Sequence, residues 1–124
     1  DFDQALALRP NYPDVHGNRG NMYSAQKNWS EAVAAYNQAL QLAPDKSSLH
    51  FNRGSAFMNQ EQLDPAISDF SAYLTTTPNH AQSYYFRSLC HFRKGNMTAA
   101  RQDAQTARGY GATIPPEYQA ALGN

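Results

Sequence analysis

The chain repeats itself every 34 residues, and that period rules out most ways of folding it. Pro10, Pro44 and Pro78 fall on the spacing, as do Arg19, Arg53 and Arg87, and Ala32, Ala66 and Ala100. Gly20 and Gly54 follow it, with Ser88 in the third slot. A unit this short cannot bury its own apolar face. Units must stack on one another, so the period predicts a solenoid rather than one closed globule.

Each unit reads as two helices. In the first, one helix is expected over Pro13 to Gln26 and a second over Glu31 to Leu42. Ala32, Val33, Tyr36, Ala39 and Leu40 recur at helical intervals, and Ala66, Ile67, Phe70, Tyr73 and Leu74 repeat the stripe one period later. Ser30, Asp64 and Thr98 share a column and are expected to cap the second helices. Pro65 would then fall at the first helical position. Pro44 and Pro78 end the second helices, because proline disfavours helix in the residue before it. Asn28, Gly95 and Asn96 are expected to supply the turns between paired helices. Small residues at Gly20, Gly54 and Ser88 let the helices of a pair approach closely, with Tyr23 and Phe57 beside them.

These columns resemble the tetratricopeptide repeat family, whose signature is W-x2-L-G-x2-Y, then A-x3-F, then P. Gly20 with Tyr23 and Gly54 with Phe57 carry the first part; Ala32 with Tyr36 and Ala66 with Phe70 carry the second; Pro44 and Pro78 close it. The sequence also departs from the pattern. The tryptophan column holds His16, His50 and Tyr84, and the leucine column holds the three arginines. The third unit has Ser88, His91 and Ala104 in place of Gly, Tyr and an aromatic, and it lacks the closing proline. Terminal units of such arrays are often atypical because they cap the stack.

The resemblance implies an all-α, right-handed solenoid of antiparallel helical hairpins in one array over residues 1–124. Residues 1–12 are expected to be the second helix of a truncated leading repeat, with repeats at 13–46 and 47–80, an atypical terminal repeat at 81–112, and a capping segment at 113–124. Within the last, Pro116 to Leu122 is expected to form a short helix over the last repeat's apolar face.

Function follows from the surface such an array presents. The family lines its concave face with the first helix of each pair. Mapped by column, this gives Asn18 and Asn21 from the first unit, Phe51, Asn52 and Ser55 from the second, and Tyr85, Leu89 and Phe92 from the third. Amides can pair with the backbone of an extended peptide, and aromatics can bury an apolar anchor. The expected function is a non-catalytic protein-interaction scaffold that binds a peptide or partner helix in this groove. Two alternatives stand beside it: the regulatory or targeting arm of a larger enzyme, and a self-assembly module joining copies through an exposed N-terminal edge at Phe2, Ala5 and Leu6.

One family mode is not met. Some members clamp a chaperone's terminal carboxylate with two lysines, two asparagines and an arginine. Asn21 and Asn52 fit, but the lysine columns hold Gly17 and Gln82, and the arginine column holds Phe86. Nothing there offsets the cost of desolvating a carboxylate.

Other classes fare worse. Ten basic residues balance ten acidic ones, so there is no electrostatic footprint for nucleic acid. No apolar run approaches the roughly 20 residues a membrane helix needs. The single cysteine, Cys90, excludes an internal disulfide and reads as a small core residue; cytoplasm and periplasm both stay open. His16 and His50 share a column where the family places a packing residue, and no third ligand accompanies them, so no metal or other cofactor is expected. Asp1, Asp69 and Asp103 form a column broken by Ala35, which suggests an Arg–Asp ladder with Arg53 and Arg87; an anion site is the rival reading. No phosphate loop, nucleophile elbow or catalytic carboxylate pair is present.

Overall fold

The computed structural model describes residues 12–123. The reading of residues 1–12 as a truncated repeat's helix, with its exposed edge, therefore lies outside the described residues apart from Tyr12. Among those described there are seven helices and no strand. Three hairpins follow one another: α1 (Pro13–Ala25) with α2 (Trp29–Leu42), α3 (Ser48–Asn59) with α4 (Leu63–Thr76), and α5 (Ala81–Arg93) with α6 (Met97–Gly109). A short α7 (Pro116–Leu122) ends the array. Each helix packs mainly on its neighbours in sequence, as a stacked repeat requires.

Among the described residues the core is a line of three clusters, each straddling two units or a unit and the closing helix. Ala32, Tyr36, Ala39 and Leu40 of α2 meet Leu49 and Ala56 of α3. Met58, Ala66 and Phe70 meet Cys90 of α5. Ala100 and Ala104 of α6 meet Leu122 of α7. Fully burying a ring such as Phe70 contributes about 1.5–3 kcal/mol, and the side chain is 0% exposed. Tyr118 falls one period after Tyr84, and Leu122 one period after Ser88, so α7 continues the repeat as a shortened first helix. Leu122 of α7 packs on Ala100 and Ala104 of α6, with Phe92, Met97 and Tyr118 beside them.

The glycine column works by contact. A Cβ on Gly20 would lie 2.5 Å from the Tyr36 ring, and one on Gly54 would lie 3.0 Å from Phe70. In the third unit Ala104 leaves room, and Ser88 fills it: its Oγ donates to the Ala100 carbonyl at 2.7 Å and lies 2.7 Å from the Tyr118 hydroxyl.

The arginine column joins units as an Arg–Asp ladder. Arg53 donates through Nε and Nη2 to the two Asp69 oxygens, both at 2.8 Å, and through Nη1 to Asn37 at 2.9 Å. Arg87 repeats the arrangement with Asp103 at 2.7 and 2.8 Å and Ser71 at 3.0 Å. The bonds to Asp103 raise the Arg87 pKa. Each guanidinium thus ties the preceding unit to its own second helix. At the Ala35 gap, Arg19 donates to the Tyr23 hydroxyl at 2.9 Å. The carboxylates occupy the place a bound anion would take, so the structural reading of Arg53 and Arg87 holds.

Two expectations about helix ends are corrected. The second helices begin earlier than expected: Asn28, Gln62 and Asn96 hold the N-cap positions without a side-chain cap bond, and Ser30, Asp64 and Thr98 sit second in their helices. Pro65 is accordingly the third helical residue, where the N–H is still unsatisfied. Ser30 accepts from Gln60 at 2.9 Å instead, and Asp64 pairs with Lys94, so this column links neighbouring units. Of the expected turn residues, Gly95 takes the turn as expected, whereas Asn28 and Asn96 lie one position past it. Lys27, Glu61 and Gly95 form a 34-spaced column in the left-handed region, with φ of 61°, 60° and 85°. Asn28, Gln62 and Asn96 then donate back to the carbonyls of Tyr23, Phe57 and His91, which is the Schellman closure. Gly95 was legible from its residue type; Lys27 and Glu61 were legible only through Gly95's column. Ala43 and Thr77 leave the helical region immediately before Pro44 and Pro78, as expected.

Candidate functional site

The first helices α1, α3 and α5 supply the candidate groove. At the α1–α3 junction lies a cavity of about 400 Å³. Asn21, Ser24, Asn52, Ser55 and Asn59 give it polar walls, and Trp29, Tyr36, Met58 and Phe86 give it apolar ones. A second cavity of about 240 Å³ adjoins it, sharing Asn21 and Asn52 and adding Asn18, Ser48, Asp14 and Lys46. Among the described residues lining the two, Lys46 is the cation, and Asp14 is its ion-pair partner.

The candidate residues are distributed unevenly. Asn18 and Asn21 are exposed, and Asn52 and Ser55 are half-buried. These four come together around the two cavities. Phe51, Tyr85, Leu89 and Phe92 are half-buried, line neither cavity, and engage in packing. Phe51 stacks on Phe86 with ring centroids 5.8 Å apart and planes 10° from parallel, and it meets Phe70, Tyr73 and His80 at its edges. Leu89 packs against the second cluster, and Phe92 meets Tyr118 edge-on at 5.3 Å. Tyr85 contacts Phe86 and Tyr118. These aromatics form a continuous wall rather than separate anchors.

Sequence columns missed Trp29 and Tyr36 as lining residues, because both sit on a second helix. Tyr36 is only 1% exposed, yet its hydroxyl reaches the cavity floor. It donates to Asn21 Oδ1 at 2.6 Å and lies 3.3 Å from Ser24 Oγ. Burial raises this phenol above its ordinary range, with the Ser24 bond working the other way, so the proton stays available for donation. Asn52 Nδ2 also approaches Asn21 Oδ1, at 3.4 Å. The signal for Tyr36 was the hydroxyl itself, since the same column holds Phe70 one period on.

His50, His80, His91 and Cys90 lie within the packing of the fold. His50 Nδ1 lies 3.0 Å from Asp69 Oδ1, inside the arginine clamp. His80 caps α5, its Nδ1 accepting from the Ser83 N–H at 3.3 Å, and burial lowers its pKa. Burial also lowers the His91 pKa, against the pull of Asp103. Cys90 is fully buried and its thiol is pushed up to about 11 by burial, which keeps it from acting as a thiolate. Among the described residues no three His, Cys, Asp or Glu side chains gather as a metal site, and no helix is long and apolar enough to cross a membrane.

Comparison with known proteins agrees with this architecture. No curated protein matches the chain by sequence. Among solved structures it is similar to MamA from Desulfovibrio magneticus RS-1, residues 41 to the end, with a TM-score of 0.86 at 17% identity over 89% of this chain and 62% of that one. The chain thus spans less than two thirds of that protein's structure. It is also similar to the TPR domain of Arabidopsis OM64, with a TM-score of 0.83 at 19% identity over 90% of this chain and 93% of that one. A third likeness is to the first TPR of Spaghetti (RPAP3), solved with the HSP90 peptide SRMEEVD bound: TM-score 0.78, 22% identity, 89% and 86% coverage. At such identities the likeness is one of fold. A TPR repeat model matches residues 20–61, and a tetratricopeptide repeat model matches residues 51–113, half of the chain. With three stacked hairpins on the family's period and its Gly, Ala and Pro columns in their places, the chain belongs to the tetratricopeptide repeat family, a right-handed solenoid of helical hairpins.

Proposed function

We propose that this array is a non-catalytic protein-interaction scaffold that holds a peptide or partner helix in its concave face. The observation that carries the reading is the open cavity between α1 and α3, walled by amides and hydroxyls and floored by aromatic and thioether side chains. Such a mixture suits an extended chain with apolar anchors. Asn18, Asn21, Asn52 and Ser55 are assigned to the polar contacts, and Phe51, Tyr85, Leu89 and Phe92 to the apolar wall. The peptide bound to the first TPR of Spaghetti supports peptide binding as a use of this fold. That peptide's acidic character is not matched here, where Gly17, Gln82 and Phe86 stand in place of cations.

The test is affinity for a captured partner. Alanine at Asn52 and Tyr85 together is expected to weaken binding by about tenfold or more. Unchanged affinity in the folded double variant would remove the groove from consideration.

A further inference from the structure

The first unit differs from the others at two columns at once. Tyr36 becomes Phe70 and then Ala104; Asn21 becomes Ser55 and then Leu89. The hydroxyl and the amide occur together in one unit and disappear together in the next. Packing does not require the hydroxyl, because Phe70 fills its column fully buried. Gly20 then gains a second role: without a Cβ it lets the Tyr36 ring lie flush against α1, so that the hydroxyl emerges at Asn21.

We propose that Tyr36 is a positioning residue that fixes the donor–acceptor polarity of the Asn21–Asn52 pair, and that this pair selects an uncharged, extended peptide segment bearing an apolar side chain. The proposal rests on the groove reading above and goes further, naming the ligand class. A phenol has one proton, and Tyr36 gives it to Asn21 Oδ1. Asn52 Nδ2 approaches the same oxygen. With Oδ1 turned to these two donors, the Asn21 NH2 group faces the open groove. Asn52, having directed an N–H to Asn21, presents its Oδ1. The groove therefore offers the Asn21 N–H donors beside the Asn52 Oδ1 acceptor on adjacent first helices, with the second Asn52 N–H as a further donor. Reversing both amides would take the 2.6 Å acceptor from the phenol proton and leave it the 3.3 Å contact with Ser24 Oγ, so Tyr36 holds the pair in the stated polarity. Reversing one alone sets donor against donor or acceptor against acceptor.

A peptide unit, with a C=O and an N–H, complements such a pair. A carboxylate, which only accepts, meets one oxygen of the pair as a repulsive neighbour, and Lys46 is already paired to Asp14. The same cavity supplies an apolar seat among Trp29, Met58 and Phe86. The ligand so described is an internal peptide segment, without acidic residues at the contact, that places one large apolar side chain in that seat.

The experiment uses a positional-scanning library of N-acetylated decapeptides, each made with a free-acid and an amide C-terminus. Binding is read by fluorescence anisotropy against the unaltered chain, Tyr36→Phe, Asn21→Asp and the double alanine variant at Asn52 and Tyr85. Selected peptides are expected to be uncharged around one large apolar residue and to bind equally as acid or amide. Tyr36→Phe is expected to weaken them about fivefold, the effect of one unfixed hydrogen bond. Asn21→Asp keeps the acceptor for Tyr36 and removes both donors, and is expected to weaken them about tenfold or more. In Tyr36→Phe the Asn21 side-chain NH2 resonances are expected to shift while the backbone spectrum stays folded. Selected peptides that need a free carboxylate or Asp and Glu, or a Tyr36→Phe variant that binds unchanged, would overturn this inference and leave the groove reading standing. Binding insensitive to the double alanine variant would remove both.

Discussion

The first and third units share a backbone and differ in what closes it. In the first, Gly20 lies on the Tyr36 ring and the hydroxyl passes into the groove. In the third, Ala104 withdraws, Ser88 takes the glycine's place, and Tyr118 and Leu122 arrive from α7 to cover the gap. The first unit leaves Ala35 opposite its arginine, whereas the third sets Asp103 there. The first turns through Lys27, the third through Gly95. One scaffold thus accepts two solutions at each column. The groove's chemistry follows the choice: amides where the second helix supplies a hydroxyl, aromatic wall where the next helix supplies a ring.

Substitutions can break this contrast, beginning with the clamp. Asp103→Ala is expected to cost about 2–3 kcal/mol in urea unfolding. It removes both oxygens from Arg87, whose side chain is 22% exposed and so recovers only part of its hydration. A loss below about half a kcal/mol would mean that the ladder contributes little.

Next comes the close approach. Gly20→Ala drives a methyl into the Tyr36 ring, and the net loss is expected to be about 1–2 kcal/mol after the gain in helix propensity. Gly54→Ala, with 3.0 Å to Phe70, is expected to lose less. Ser88→Ala meets no clash and loses the bonds to Ala100 and Tyr118, about 1 kcal/mol. Equal melting temperatures for the two alanine variants at Gly20 and Gly54 would contradict the packing account.

The turn column predicts opposite signs. Lys27→Gly is expected to stabilise by about 0.5–1 kcal/mol, because glycine enters the left-handed region without the Cβ penalty. Gly95→Ala is expected to destabilise by about 1 kcal/mol for the same reason.

The smallest effect is on pH dependence. Burial holds the His80 and His91 pKa values below their usual range in the folded chain. The unfolded chain therefore binds protons first as pH falls below about 6.5. The stability these groups contribute is present above that pH and is lost as pH falls through their folded values. His80→Asn keeps a capping acceptor for Ser83 and removes the titration. It is expected to flatten the fall in melting temperature between about pH 7 and 5. An unchanged slope would assign the dependence elsewhere.

Much of this was legible from spacing. Arg53–Asp69 and Arg87–Asp103 could be paired from their columns, since residues repeated in every unit meet the same neighbour in every unit. The ends of α2 and α4 followed from Pro44 and Pro78, whose rings act on the residue immediately before them. The starts of α2, α4 and α6 did not follow. Ser30, Asp64 and Thr98 have capping chemistry, but the left-handed residue at 27, 61 and 95 starts each helix earlier. In the groove, Asn18, Asn21, Asn52 and Ser55 were legible by column. Trp29 and Tyr36 were not, because both sit on a second helix; Tyr36 reaches the cavity beside the gap that Gly20 leaves.

The sequence by itself determined the period, and the period determined a stack of hairpins, their proline stops and their arginine clamps. These depend on spacing along one chain, which is what a sequence records. The tertiary structure decided where the Tyr36 hydroxyl emerges, which way the Asn21 amide points, and how α7 replaces an absent ring. These depend on how closely two helices approach, a distance set by the volumes of several side chains packed together and carried by no one of them.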